Sequence, residues 1–443
     1  MITRRDAIRM AALMALAQPL LTACGDGSSG GRHAGPEVGE GGPLELIRSS
    51  VRRAPGDAGA IPDVVSAMHR FAGGVYGALP TGGNLVLSPY SIAVALGMTL
   101  NGAGGTTALE MRQVLGADNP FHAGLNALTA HVDGLAGRQR RADGSDAEIA
   151  LDTANQLFGQ QGVGWEEGFL DPLAKHYGAG IRIVDFRDAS EDARTLINDW
   201  VEQQTHDRIL DLIPEGVLDA LTRLVLVNAV YLKAPWEVPF ERHLTEPAPF
   251  RRADGTTVDA EMMRSSETHG VLRIGRGYQA VTVPYAGGHL AMTIVLPEEG
   301  RLDDIEAMVA GGGPAALLDG GTSSTLDLRM PKWSFRSSAA LADVLEGLGM
   351  VSAFDPQVAD FHPMTSEDLD LFISAVLHQG FIAVDEDGTE AAAATAVVAK
   401  VESMPVTTPF HVDRPFLFVI HDVANSTPLF LGRVVDPTEE DAD

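Results

Sequence analysis

The stretch VDEDGTEAAAAT, residues Val384–Thr395, decides which fold this chain adopts. It ends a long apolar run, Leu371–Val384, which is typical of a buried strand. Charged and small residues follow, including four consecutive alanines. These alanines and the neighbouring Glu390 favour a short helix after the strand.

Position parity in the longer segment 388–404 favours an extended conformation instead. The odd positions from Thr389 to Val401 are uncharged, whereas the charged residues Glu390, Lys400 and Glu402 all lie at even positions. Side chains of a strand point alternately to opposite faces, so one face of this segment could contact a core while its charges stay in solvent. The segment therefore reads as an exposed loop that could continue the preceding strand.

The N-terminus has the pattern of an export signal. Arg4 and Arg5 precede the apolar run Met10–Ala23, which is too short to span a bilayer. The paired arginines resemble a twin-arginine signal, and Leu21–Cys24 resembles a bacterial lipobox. We expect a signal peptide at residues 1–23 and lipidation at Cys24, and hence an exported bacterial lipoprotein at the cell envelope or extracellular face. A free cysteine in an ordinary helix is the alternative, but it leaves the position of Cys24 at a cleavage site unexplained.

Composition divides the remainder of the chain. Residues 24–60 are rich in Gly, Pro and Ser, which predicts a flexible linker behind the lipid anchor. A hydrolase-like match, Gly27–Gly31, lies in this linker, but it lacks the strand and helix that a nucleophilic serine needs. No second linker follows, so residues 61–437 are expected to form one domain, with an acidic tail at 438–443.

Charge and cysteine content exclude several classes of protein. The formal net charge of −28 argues against a nucleic-acid partner, and a single cysteine, Cys24, permits no intrachain disulfide. No H-E-x-x-H, C-x-x-C or P-loop motif is present, so neither an enzyme nor a metal or cofactor site is predicted. The glycines of Gly102–Gly105 follow a predicted helix rather than a strand, which fits a helix-to-helix turn better than a phosphate loop.

Hydrophobic periodicity predicts an α+β domain. Helices are expected over Asp63–Leu79, Tyr90–Leu100, Thr106–Leu115 and Glu191–Thr205. Strands are expected over Leu224–Leu232, Ala280–Pro284, Ala291–Leu296, Leu326–Met330, Leu371–Val384, Phe416–His421 and Leu429–Val435.

Several motifs, taken in order, resemble those of the serpin family. Val384–Thr395 is similar to the hinge of the reactive-centre loop in inhibitory members. The other matching motifs are Asn84–Ile92, Gly102–Thr107, Val227–Trp236, Met330–Trp333, Ala359–Phe361, Asp413–Phe416 and Pro428–Val435. The resemblance extends along the whole body of the chain, from about Ile61 to Pro437.

The resemblance implies a single α+β domain with three β-sheets, about nine helices, an exposed reactive-centre loop and a metastable native state. It implies a monomeric suicide-substrate inhibitor of serine endopeptidases, with cysteine endopeptidases as a further class of target. The target protease is the expected partner, held in a covalent acyl complex, and the only membrane contact is the lipidated N-terminus. The cut loop then inserts as a strand into the main sheet, a known instance of strand addition and release of stored strain.

The resemblance also assigns roles to particular residues. The loop hinge comprises Glu386, Gly388, Thr389, Glu390, Ala391, Ala392, Ala393, Ala394 and Thr395. The machinery that opens the sheet comprises Ser88, Ser91, Asn228 and His378 beneath the opening strands, and Trp236, Lys332 and Glu386 at the top of the sheet. Without this resemblance, the same residues have simpler interpretations: Ser88 is a helix cap, Trp236 is a core residue and Glu386 is a solvated acid.

The family's usual spacing from Gly388 places the reactive bond between Glu402 and Ser403. A count backward from the next strand also allows Met404, but Pro405 follows it and makes a poor bond for most serine proteases. An acidic residue at the bond indicates a protease that accepts acids, while the valines nearby suit elastase-like or subtilisin-like enzymes and Lys400 a trypsin-like one.

A non-inhibitory serpin-fold surface binding protein is the alternative function. Such members usually carry bulky, charged or proline residues in the hinge. The small residues Thr389 and Ala391–Ala394 favour inhibition.

Overall fold

The computed structural model describes residues 37–38, 44–390 and 407–439. Several predictions lie outside these residues: the signal peptide, Cys24, Ala391, Ala392, Ala393, Ala394, Thr395, Glu402 and Ser403. Among the described residues, no helix has both the length and the apolar character needed to cross a membrane.

Nine α-helices lie within the described residues and are concentrated in the first half of the chain. They are α1 (Ile61–Ala78), α2 (Pro89–Leu100), α3 (Gly105–Leu115), α4 (Phe121–Asp133), α5 (Glu167–Tyr177), α6 (Phe186–Gln204), α7 (Leu302–Gly312), α8 (Ala315–Leu318) and α9 (Ala342–Gly347).

Eighteen strands lie within the same residues. The first nine are β1 (Glu37–Val38), β2 (Glu45–Arg48), β3 (Leu85–Leu87), β4 (Gly137–Arg140), β5 (Asp146–Gln160), β6 (Ile181–Val184), β7 (Leu224–Pro235), β8 (Glu246–Arg251) and β9 (Thr257–Gly275). The others are β10 (Tyr278–Pro284), β11 (Leu290–Pro297), β12 (Thr322–Pro331), β13 (Trp333–Ala340), β14 (Ile373–Val384), β15 (Gly388–Thr389), β16 (Thr408–His411), β17 (Phe416–Asp422) and β18 (Pro428–Val434). An α+β fold was predicted, and these elements confirm it.

The strands form two sheets of nine strands each rather than the three that the resemblance implied. The first has the order β1-β2-β6-β5-β7-β15-β14-β13, with β4 paired to β5. The second has the order β16-β12-β9-β10-β11-β17-β18-β3, with β8 paired to β9. The strand β9 explains the difference, since it pairs with β8 and β12 along one part and with β10 along the other, which joins two groups of strands into one sheet.

Helix α2 lies in the core and contacts both sheets, through β5 and β7 on one side and β18 on the other. Its sequence explains this position. Ser88 caps the helix by accepting a hydrogen bond from the Ser91 N–H, and Pro89 occupies the first turn, where no amide hydrogen is needed. All of its residues are buried, as expected for a helix that is apolar nearly all round.

The linker predicted for residues 24–60 does not extend through residues 44–60. Strand β2 pairs with β6 near one edge of the first sheet, where β1 is the outermost strand. The side chain of Arg53 then donates hydrogen bonds to Asn126 (2.8 Å) and Thr129 (2.5 Å) on α4. Composition missed strand β2 because strand pairing uses backbone N–H and C=O groups, which nearly every residue type offers.

Candidate functional site

The hinge enters the first sheet as a short strand. Gly388 and Thr389 pair antiparallel with Pro235 and Ala234 of β7, while Thr389 pairs with Val384 of β14 on the other side. The strand prediction from position parity is confirmed for these two residues, whereas the helix alternative concerned Glu390 and the alanines after it, and those alanines lie outside the described residues. The first residues of the loop thus occupy the top of the space between β7 and β14.

Gly388 has a backbone that only glycine adopts readily here. Its φ is +154°, and a Cβ at this position would lie 2.3 Å from the carbonyl oxygen of Ala234. A side chain would push the hinge away from β7. The glycine therefore permits the close pairing of β15 with its neighbour.

Thr389 is seated in the core beneath the entry point. It is 2% exposed, and its Oγ1 lies 2.6 Å from the hydroxyl of Tyr285. The ring of Tyr285 stacks on Trp236, with centroids 4.6 Å apart and planes within 5° of parallel. Because this buried site offers one hydroxyl partner, it suits a small side chain that carries one hydroxyl.

The turn before the hinge is bound to the top of the sheet through backbone groups. The indole Nε1 of Trp236 donates to the carbonyl of Asp385 (3.0 Å), and its backbone N–H donates to that of Asp387 (2.8 Å). The Phe240 N–H donates to the carbonyl of Glu386 (2.8 Å). These three bonds fix the position from which the loop departs.

Glu386 lies within a charged cluster at the same level. Nζ of Lys332 is 3.0 Å from one carboxylate oxygen, and the hydroxyl of Thr245 donates to the other at 2.7 Å. Burial alone would raise the pKa of Glu386, but the bond from Thr245 and the charge of Lys332 outweigh it and hold the pKa below its ordinary value. Arg242 forms an ion pair with Asp387 and lies 3.7 Å from Glu386.

A polar cluster lies lower in the sheet, where β7 and β14 are hydrogen-bonded directly. Asn228 lies opposite His378 on β14 and opposite Asn155 on β5. Its side-chain amide donates to Ser91 Oγ (2.5 Å) and to Asn155 Oδ1 (2.5 Å). The hydroxyl of Ser91 donates to the same Asn155 oxygen at 2.7 Å. The cluster therefore ties three strands to the buried helix α2.

The tautomer of His378 follows from its two partners. The backbone N–H of Ser88 donates to Nε2 at 3.1 Å, so that nitrogen carries no proton. The proton lies on Nδ1 and is donated to Asn228 Oδ1 at 2.5 Å. Burial lowers the pKa of His378 to about 4, because a second proton would be desolvated and would face the Ser88 amide.

Entry of a longer strand requires these contacts to break. Strands β7 and β14 pair in parallel from Leu224 and Ile373 up to Val230 and Gly380. The bond between Asn228 and His378 bridges the same pair of strands. The sheet is thus already open at the top, around β15, and closed below it.

The predicted residues therefore fall into two groups. Ser88, Ser91, Asn228 and His378 lie together in the lower cluster, and Trp236, Lys332 and Glu386 lie around the hinge turn. Sequence reasoning missed Asn155, Tyr285, Thr245, Arg242 and Asp385. No local signal marked these residues, and even Asn155 lies in a strand, β5, that carries several other polar side chains.

Comparison with known proteins identifies the family. The family model for serpins, described as serine protease inhibitor, matches residues 66–437. Leukocyte elastase inhibitor A of Rattus norvegicus is 36% identical over 373 residues, which cover 81% of this chain and 94% of the relative. The chain belongs to the serpin family.

Solved structures agree with this assignment. The thermophilic serpin tengpin in its native state superposes with a TM-score of 0.76 at 26% identity, covering 88% of this chain and 97% of tengpin. Thyroxine-binding globulin in complex with thyroxine superposes with a TM-score of 0.73 at 27% identity, covering 85% of this chain and 99% of that protein. The family thus includes a relative named as an elastase inhibitor and another named for binding a small molecule.

Proposed function

We propose that this serpin is a suicide-substrate inhibitor of serine endopeptidases, with cysteine endopeptidases as a further class of target. One observation carries the proposal: Thr389 is seated between β7 and β14, with its side chain buried against Tyr285. A loop that already enters the sheet at this point is positioned to lengthen along the same path once the strands below it part. The small side chains expected at 391–395 would follow Thr389 without a steric block.

The chemistry belongs to the protease, and the loop supplies the bond, which we place between Glu402 and Ser403. The protease nucleophile attacks the carbonyl carbon of Glu402, and the bond to the Ser403 nitrogen breaks. The proton of the nucleophile passes to that nitrogen, which leaves as a new amino terminus. The Glu402 carbonyl stays bound to the protease as an acyl group.

Strand insertion would then be faster than hydrolysis of this acyl bond. Residues 388–402 as a full strand would be roughly 50 Å long at about 3.3 Å per residue. Insertion would carry Glu402 and the attached protease toward the opposite end of the first sheet. The lower cluster of Ser88, Ser91, Asn228 and His378 would have to release β14 from β7, and Lys332 and Glu386 would hold the hinge turn meanwhile.

The test mixes the full chain with a panel of serine and cysteine endopeptidases. We expect, for at least one enzyme, a complex that survives denaturing electrophoresis, and a released peptide that begins at Ser403 by mass spectrometry. Cleavage by every enzyme without a complex at any ratio would favour the non-inhibitory binding protein instead. A peptide beginning at another residue would move the reactive bond and leave the mechanism standing.

A Thr389→Arg variant links the complex to insertion. The guanidinium would bring a charge into a buried position where the bonded neighbour, the Tyr285 hydroxyl, is neutral, so the cut loop should stall, and the yield of complex should fall by about tenfold while cleavage continues. Thr408→Arg is the matched control, since Thr408 is exposed on β16. Equal complex yields from the two variants would contradict insertion.

We further propose that the protein is an exported lipoprotein that acts as a monomer at the cell envelope. The support is the sequence pattern of residues 1–24 and its paired arginines. A Cys24→Ala variant should leave the membrane fraction and lose incorporation of labelled fatty acid. Membrane association of the variant equal to that of the unchanged protein would count against the anchor.

A further inference from the structure

Glu390 marks the point at which the loop stops following the sheet. Its backbone N–H still donates to the carbonyl of Ala383 at 2.8 Å, which continues the ladder of β15. Its φ of +48°, however, is left-handed and cannot continue a strand. A non-glycine residue keeps such a conformation only when its surroundings hold it there.

The side chain of Glu390 is held by an ion pair with Arg208. Only 10% of the Glu390 side chain is exposed. Burial raises the pKa of this carboxyl, while the nearby charges of Arg208 and Lys233 act in the opposite direction. A buried carboxylate that lost the pair would have to find another cation or return to solvent.

Arg208 is itself fixed in place by its neighbours. Nε of Arg336 donates to the backbone carbonyl of Arg208 at 2.9 Å. The guanidinium groups of Arg208 and Arg336 lie 5.8 Å and 5.3 Å from the centre of the Phe381 ring. The next residue, Ile209, is fully buried, so Arg208 is anchored at the backbone as well as at its charged end.

Arg208 begins the segment that crosses the outer face of the first sheet after α6. Ile209, Leu212 and Ile213 of this segment are buried in one apolar cluster with residues of β7 and β14. This cluster includes Val225 and Val227 of β7 and Ala375 and Leu377 of β14. The crossing segment thus covers the junction through which an inserting strand would pass.

The register of the hinge shows where Glu390 would go next. Because Gly388 and Thr389 lie opposite Pro235 and Ala234, an extended Glu390 would lie opposite Lys233. Side chains directly opposite on one face of a sheet come within contact distance. The charge of Lys233 already lies near Glu390, and Lys233 would face it directly across the sheet once Glu390 leaves its left-handed conformation.

We propose that the ion pair between Arg208 and Glu390 is a latch that stops insertion after Thr389. When this ion pair breaks, Glu390 pairs with Lys233 instead of Arg208. The latch couples the hinge to the crossing segment, since both must move before the strand can lengthen. This inference rests on the proposed function for its purpose, because loop insertion is the step that the latch restrains.

The test follows insertion without any protease. The full-length protein is held below its unfolding temperature, and conversion to a loop-inserted form is measured over time by its resistance to urea on gradient gels. Arg208→Met keeps a stem beside Phe381 but removes the charge, and Glu390→Gln removes the other partner. Each should convert about fivefold faster than the unchanged protein. The double variant should convert no faster than the faster single variant, since both changes break one contact.

Lys233→Met is a control for which the expected change in conversion rate is the reverse. It removes the cation that would pair with Glu390 after insertion begins, so it should convert more slowly than the unchanged protein. The latch is overturned if neither Arg208→Met nor Glu390→Gln converts faster than the unchanged protein, including the case in which none converts. Acceleration by Lys233→Met equal to that by Arg208→Met would also overturn it, since any lost charge would then have the same effect.

These outcomes are separate from those of the proposed function. If the latch variants convert faster but the protein traps no protease, the latch proposal stands and the proposed inhibitory function fails. If the protein traps a protease but the latch variants convert at the rate of the unchanged protein, the inhibitory function stands and the latch proposal fails.

Discussion

His378 makes the stability of the sheet depend on pH at the scale of a single residue. Its folded pKa of about 4 lies below the ordinary imidazole value of about 6.5. As pH falls, the unfolded chain therefore binds this proton before the folded chain does. The contribution of neutral His378 to the free energy of unfolding is complete above pH 6.5. It falls progressively by about 3 kcal/mol as the pH is lowered to 4.

The measurement compares urea unfolding at pH 7.5 and pH 4.5 for the unchanged protein and for His378→Gln. We expect the free energy of unfolding to fall by about 2 to 3 kcal/mol more in the unchanged protein. His122 and His421, whose pKa values burial also lowers to about 4, are present in both proteins and cancel in the comparison. Equal losses in the two proteins would show that His378 is not the sensitive group.

At this scale the sequence identified some site residues and not others, for a physical reason. Asn228 interrupts an apolar strand, so its polar side chain predicts a buried partner. Asn155 joins the same cluster only because β5 and β7 pair in one register, and a local pattern does not encode register between distant strands. Tyr285 likewise reaches Thr389 through tertiary packing.

At the scale of elements, Arg53 fastens β2 to the body of the domain. Replacing it with Met removes the hydrogen bonds to Asn126 and Thr129, and the free energy of unfolding should fall by about 1 to 2 kcal/mol. Urea unfolding of Arg53→Met checks this, with Arg52→Met as the control because the side chain of Arg52 makes no hydrogen bond within the described residues. A loss as large for Arg52→Met would assign the effect to charge in general.

Elements with a strong period were predictable, and elements that depend on pairing were not. The predicted helices at Asp63–Leu79 and Tyr90–Leu100 correspond to α1 and α2 within two residues at each end. Strand β2, however, lies in a stretch predicted as linker, because only its backbone pairing with β6 makes it a strand. Hydrophobic periodicity indicates which side chains are buried, and the side chains of β2 are little buried.

At the scale of the whole molecule, the proposed function predicts a large rise in stability when the loop is cut. A completed strand between β7 and β14 would add on the order of ten hydrogen bonds at about 1 kcal/mol each, which raises Tm by about 10 °C or more in a chain of this length. Calorimetry before and after limited cleavage of the loop measures this. An unchanged Tm after cleavage would indicate that the cut loop stays outside the sheet.

The whole-molecule architecture was predictable as a class but not in its details. The order of motifs and the parity of the hinge region led to the α+β serpin fold. The merging of strands into two sheets depends on the path of β9, whose 19 residues pair with three other strands. Such a path is a property of the assembled sheet rather than of any single segment.

The proton that His378 shares with Asn228 has a consequence for spectroscopy. This proton lies in a hydrogen bond between two buried side chains, so it is protected from exchange with water. It should give a separate resonance far downfield in the NMR spectrum, away from the crowded amide region. Since the two residues lie on β7 and β14, that single line would report in real time whether the two strands are joined or parted.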